Sequence, residues 1–277
     1  MTDMPPALFD RDLLALRRGR VRSKDALFLH EQGADLVQER LLDVNRRFTD
    51  ICFVGWQGQF WAEMLGLDAR VIADTETLDL EPESCDLIVH CLCLHWANDP
   101  VGQLIQMRRA LRPDGLMIAV LFSGDTLHEL RHALTQAEAE VLGGIRPHIA
   151  PMADLRGLGA LLQRAGFALP VADNLRLDVS YGDVLGLMRD LRAMGETNIL
   201  ADRGPGYLRK DVMARMSEVY HRDNADGDRL KATFELAFLT GWAPADSQQK
   251  PLRPGSAQSR LADALGVPEF SETGKKT

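Results

Sequence analysis

Apolar positions follow two alternating rhythms along the first half of the chain. From Phe28 to Arg47, Leu29, Leu36, Val37, Leu41 and Leu42 recur at helical spacing, and the run that follows, "ICFVG", is apolar without interruption up to Gly55. The two predict a helix and then a buried strand. "ARVIAD" (69–74) predicts a second strand ending in an acid, and beyond the acidic connection "TETLDLEPES" lies a third buried run, "CDLIVHCLCL". A helix predicted over Asp99 to Leu111 opens on Asp-Pro and is stopped by "RPDG" before "LMIAVLF". Repeated strand, crossover helix and strand predict an α/β fold, a parallel sheet with helices on both faces.

Past Phe122 helices dominate. "GDTLHELRHALTQAEAEVL" predicts a helix capped by Asp125 or Thr126, and "ADLRGLGALLQRAG" predicts one stopped by Gly166. "LRLDVSY" has the period of a strand, two further helices are expected over Tyr181 to Met194 and Tyr207 to Arg222, and "LKATFELAFLTGW" is a long alternating strand. Late strands that follow helices point to an antiparallel pair completing a mixed sheet. The organisation predicted is an N-terminal helical segment over 1–48, a main domain over 49–242, and an irregular Pro/Gly/Gln/Ser-rich tail over 243–277. Helical insertions at about 123–150 and 181–225 are expected to cap the carboxyl edge of the sheet, where open α/β sheets bind ligands.

Composition narrows the classes of function. With 277 residues and 45% hydrophobic content the chain can bury a full core, and a net charge of −8 argues against nucleic acid as the main partner. The basic stretch "RRGRVRSK" (17–24) reads as a solvated helix face, with docking to an acidic partner as the alternative. No apolar run approaches the roughly 20 residues of a membrane span, and the first residues lack the order of a secretory signal. A cytoplasmic protein, reaching a membrane only through a partner, is expected. Cys52, Cys85, Cys91 and Cys93 sit in or beside strand-like runs and read as buried thiols, and no motif with metal-ligand spacing is present.

"DLIVHCLCLHWANDP" and "MRRALRPDGLMIAVLFSGDTLHELRHAL" resemble the later part of a class I S-adenosylmethionine-dependent methyltransferase domain, a Rossmann-like fold. More narrowly, "LFDRDLL", "GDTLHELR", "GGIRPHIAPM", "DLRAMGETN", "GWAP" and "RPGSA" resemble the methyltransferase-fold assembly factors of respiratory complex I, over nearly the whole chain and in order. The resemblance implies S-adenosylmethionine as cofactor and a complex I subunit as protein partner. Mitochondrial members of that family are implied to hydroxylate an arginine of such a subunit.

The candidate cofactor residues are Gly55, Trp56, Gly58, Asp74, Thr75, Cys91 and Leu92. A methyltransferase loop alternates glycines so that the ligand can approach the backbone at a helix N-terminus. Here only Gly55 and Gly58 remain, separated by Trp56 and Gln57, and the indole is expected to fill cofactor space. "VIADTETLDLEPESCDLIV" matches the family's third strand and the run into the fourth, which puts Asp74 where an acid meets the adenine amino group. Between Leu65 and Ala69 too little chain remains for a second strand, its ribose-binding acid and a helix; roughly 20 residues are missing against an ordinary crossover. The sheet is therefore expected to be shortened between the first and third strands, lacking one beside Ile51 to Val54 unless "ARVIAD" takes its place.

Asp125, His148, Glu196 and Asn198 are the candidate catalytic residues, expected to converge in the cap as a polar pocket that takes an arginine, since carboxylates match the fork of a guanidinium. Asp125 and Glu196 are expected near the surface of the cleft. Three functions stay open on the sequence: a methyltransferase, an arginine hydroxylase acting in complex I assembly, and an assembly chaperone that keeps the fold without the chemistry.

Overall fold

The computed structural model describes residues 7–21, 26–204 and 207–248. The tail from 249, with its "RPGSA", and Arg22 to Lys24 of the basic stretch lie outside the described residues. The described residues up to Pro244 form one compact unit, and in the following segment Ala245 to Gln248 form a turn in which the Ala245 amide donates to Gln248 Oε1.

Helices α1 (Arg11–Arg18) and α2 (Phe28–Val44) precede strand β1 (Ile51–Val54), helix α3 (Gly58–Leu65) and strand β2 (Arg70–Ile72). Next come β3 (Cys85–Cys91), α4 (Pro100–Ala110), β4 (Leu111–Phe122), α5 (His128–Leu142), α6 (Leu155–Ala165) and β5 (Ala168–Tyr181). Helices α7 (Val184–Ala193) and α8 (Lys210–Asn224), the short β6 (Ala225–Asp226) and β7 (Arg229–Trp242) complete the unit. The sheet order is β2-β1-β3-β4-β7-β5, parallel through β4, with β7 antiparallel to both β4 and β5.

"ARVIAD" takes the place beside β1. Helix α3 stops at Gly66, which adopts φ 63 as its left-handed cap, and β2 starts four residues later, paired directly to β1 through Cys52↔Arg70 and Val54↔Ile72. Asp74 therefore follows the strand that pairs directly with β1.

Each sheet face has its own core. On one, Phe53, Val89, Ile118, Val120 and Phe238 pack under α2, α3, α5, α7 and α8; on the other, Val54, Ile88, Met117, Ala119 and Leu239 pack under α4 and α6. Alternate residues of each strand serve opposite faces, and helices cover both, so β3 is buried at all seven positions. Helices α5 and α8 lie in the first of these layers instead of over the sheet edge. The turns after α5 and α7 are what reach the carboxyl edge. A third, smaller core of Phe9, Leu14, Trp96, Ala150, Ile199 and Leu200 seats α1 there.

Caps follow the sequence in most places. Asp99 accepts from the Gly102 amide at 2.8 Å, Asp154 from Gly157 and Asp183 from Gly186, and Gly166 closes α6 at φ 81. Helix α5 is the exception: Leu127 holds its N-cap position without a side-chain cap, and Asp125 and Thr126 lie before it. Thr126 instead donates to the Ser123 carbonyl and accepts from the Glu235 amide.

Candidate functional site

The loop after β1 is built for packing. A Cβ on Gly55, which has φ 143, would lie 3.1 Å from the Cys91 carbonyl and 3.2 Å from Cys93 Sγ; on Gly58 it would lie 2.6 Å from Val71 Cγ1. Both glycines are thus required by neighbouring strands. Trp56 leans the other way, against Gly195, and the guanidinium of Arg18 lies over its ring at 5.5 Å from the centroid.

Arg18 organises the carboxyl edge. It was expected on a solvated face, yet its side chain is only 5% exposed. Its Nη1 donates to both oxygens of Asp74 at 3.2 and 3.1 Å, and Nη2 reaches Cys93 Sγ at 3.5 Å and lies 4.0 Å from Glu196 Oε1. Arg11 adds a second guanidinium, with Nη2 3.0 Å from Asp74 Oδ2 and bonded to the Asp74 carbonyl. Burial pushes the Asp74 carboxyl up, but Arg18 and Arg11 outweigh it and hold the group below the ordinary value. Burial pushes the Cys93 thiol up to about 12, with the Asp74 charge adding to it, so it stays a neutral thiol.

Glu196 faces the same place from the turn after α7. Its Oε2 accepts from Trp96 Nε1 at 2.8 Å and His95 Nε2 at 3.0 Å. Among the described residues its buried Oε1 has no hydrogen-bond partner, and neither do Arg18 Nε, His95 Nδ1 or Thr197 Oγ1. With the side chain 6% exposed, Glu196 belongs to the interior of the edge and not to the surface expected for it.

The other candidates lie around this centre or apart from it. Asn198 donates to the Pro147 carbonyl at 3.0 Å, its own carbonyl takes Arg17, and His148 pairs with Glu138 at 2.9 Å. Asn198 therefore joins the loop carrying His148 to the loop carrying Glu196. Asp125 is exposed on the turn after β4, its carboxylate 4.0 Å from Arg176, and among the described residues it makes no hydrogen bond or ion pair with the other three. Thr75 donates to the Thr77 carbonyl at 2.7 Å and its own carbonyl accepts from Gln103. Cys91 and Leu92 are buried at the end of β3, where Leu92 takes φ 52. All four cysteines are free, and among the described residues no three His, Cys, Asp or Glu side chains group so as to hold a metal ion.

Arg11, Arg18, His95 and Trp96 carry more of this edge than the sequence reading gave them. Spacing held the signal: Arg11, Leu14 and Arg18 stand at i, i+3 and i+7, one stripe of α1, so the two arginines share the face of its buried leucine.

A parallel sheet finished by an antiparallel strand between β4 and β5, with a glycine turn after β1 and an acid after the next strand, defines a class I methyltransferase fold. Residues 56–119 match the family model described as "Methyltransferase domain". The chain belongs to the family of mitochondrial arginine-hydroxylase NDUFAF5. It is 40% identical to the Danio rerio protein of that name over 263 residues, covering 85% of this chain and 81% of that one. It is 38% identical to the Homo sapiens protein over 303 residues, 98% and 87% of the two chains. The Dictyostelium discoideum protein is 39% identical over 193 residues, which span 69% of this chain and 44% of that one. These relatives overturn the cytoplasmic expectation: each is named as a mitochondrial protein.

The fold implies S-adenosylmethionine, and the edge in this arrangement does not fit it. Asp74 is engaged by two guanidinium groups; Arg18, which holds it, lies over the Trp56 ring; and a Cβ on either loop glycine would meet the packed neighbouring segments.

Proposed function

We propose that this protein acts on an arginine side chain of a partner protein, a subunit of respiratory complex I, at the carboxyl edge of its sheet. The relatives, named as arginine-hydroxylases, supply the arginine and its hydroxylation; the complex I partner comes from the family resemblance. One observation carries the reading to this chain: a buried carboxylate, Glu196, is held in place through one oxygen by His95 and Trp96, leaving the other without a hydrogen bond among the described residues. A carboxylate fixed this way is an acceptor for a guanidinium N–H, with its orientation already set before the ligand arrives. S-adenosylmethionine enters this reading only if Asp74 is first released from its arginines.

Mass spectrometry of complex I subunits tests the proposal, comparing cells that carry the protein, cells that lack it, and cells with Glu196→Gln. An arginine bearing one added oxygen in the first and not in the other two is expected. Identical arginine masses in all three refute it.

A second reading, an assembly chaperone without chemistry, is favoured by the neutralised Asp74. It predicts unchanged arginine masses together with lost complex I when the protein is removed.

A further inference from the structure

The guanidinium of Arg18 is in an unusual place for a residue of a short N-terminal helix. It lies between two buried carboxylates and over an indole face, at the edge where the arginine of a partner is proposed to bind. Its fit is incomplete. One nitrogen, Nη1, serves both oxygens of Asp74, whereas a fork would use two; Nη2 lies 4.0 Å from Glu196 Oε1; and Nε has no hydrogen-bond partner among the described residues. Glu196 Oε1 is buried and, among the described residues, without a hydrogen bond in turn. Buried donors and acceptors left unmade cost free energy that a better-aligned guanidinium would recover.

The segment that delivers Arg18 is separable from the main cores. Leu8 to Gly19 pack on the small third cluster and not on either sheet face. They are tied down by the Phe9↔Leu200 bridge, the Asp10 amide on the Ile199 carbonyl, Asn98 on both backbone groups of Phe9, and Arg203 on Asp10. Arg17 on the Asn198 carbonyl and Arg11 on the Trp96 carbonyl and on Asp74 complete the ties, which run to the turn that also carries Glu196, to the loop after β3 and to the end of β2.

We propose that Asp74, Glu196 and the Trp56 face form a guanidinium-binding site, and that Arg18 is its internal occupant, exchanged for the partner's arginine when the strap of residues 8–19 lifts. This rests on the arginine-directed reading above and adds to it the residues of the site and the means by which it stays closed. Arg11, on the same strap and 3.0 Å from Asp74 Oδ2, leaves with Arg18, and the guanidinium that enters has the same chemistry as both. Asp74 and Glu196 are therefore paired with a cation in the closed and in the occupied state, and the far costlier unpaired acid is confined to the passage between the two.

Calorimetric titration with N-acetyl-arginine amide tests the exchange, with N-acetyl-lysine amide as the control. Arg18→Ala is expected to bind the arginine probe about tenfold or more tightly than the native protein, to discriminate against the lysine probe, and to lose the site on adding Asp74→Asn. Equal affinity of native protein and Arg18→Ala, or no binding to Arg18→Ala, overturns the proposal. If Arg18→Ala does not fold, hydrogen exchange of the native strap decides. Amides of 8–19 are expected to exchange faster in high arginine amide and not in lysine amide, and equal exchange in both overturns it. The oxygen-mass experiment is independent of these results: failure here with an oxygen-bearing arginine in cells removes the Arg18 exchange and leaves the arginine-directed function standing.

Discussion

Replacing Glu196 with alanine removes the acceptor on which two buried ring donors converge. Trp96 Nε1 at 2.8 Å and His95 Nε2 at 3.0 Å both bond to one oxygen of a side chain only 6% exposed, and Arg18 loses the nearer half of its second counter-charge. Hydrogen bonds to a charged partner contribute about 1.5–3 kcal/mol each. Breaking a buried charged network by deleting one member costs about 3–5 kcal/mol. The expected loss for Glu196→Ala is therefore about 3–5 kcal/mol, which for a domain of this size lowers the midpoint of thermal unfolding by roughly 10 °C. Glu196→Gln keeps an acceptor oxygen in place and gives up only the charge, so its loss is expected to be about 1–2 kcal/mol. Urea unfolding followed by tryptophan fluorescence measures both, since Trp96 is itself a reporter. A loss below about 1 kcal/mol for the alanine variant, or equal losses for alanine and glutamine, would refute the assignment of Glu196 as the buried anchor of this edge.

Gly195→Ala places a Cβ 2.9 Å from Trp56 and 3.1 Å from Arg18 Cγ at a backbone φ of 75, so a loss of about 1–3 kcal/mol is expected, with a shifted Trp56 emission; an unchanged melting temperature contradicts it. Burial holds His30 and His90 neutral, each lowered from 6.5 to about 4. The unfolded chain takes up these protons first, so stability is full above pH 6.5 and falls as pH drops towards 4, with a slope approaching about 3 kcal/mol per pH unit for the two together. Denaturant titrations across that range that show no slope would exclude it. Equilibrium titration with S-adenosylmethionine is expected to give binding at least about tenfold weaker than in a relative with an intact loop. Trp56→Gly alone is expected to recover little of it, because Asp74 stays engaged by Arg18 and Arg11. Micromolar binding by the native protein, lost on Asp74→Ala, would show the site open.

Elements whose character is set locally were legible from the chain. The period of α2, the uninterrupted apolar runs of β1 and β3, the Asp99 cap and the Gly166 stop were all readable, because each depends on residues within a turn or two. So was the likeness to methyltransferase-fold assembly factors, since short words such as "GGIRPHIAPM" and "MGETN" keep their order along the sequence. The place of "ARVIAD" needed the sheet: a strand's neighbours follow from how the whole set pairs, and both branches were compatible with the same letters. The site needed it most. Arg18 and Asp74 are 56 positions apart and His95 and Glu196 are 101 apart, and an arginine in a basic stretch reads as solvated until a carboxylate is brought against it. Local sequence reports propensity and period. Which charge is buried against which is decided only by the packing of distant segments, because the desolvation that makes such a pair matter does not exist until the chain has folded.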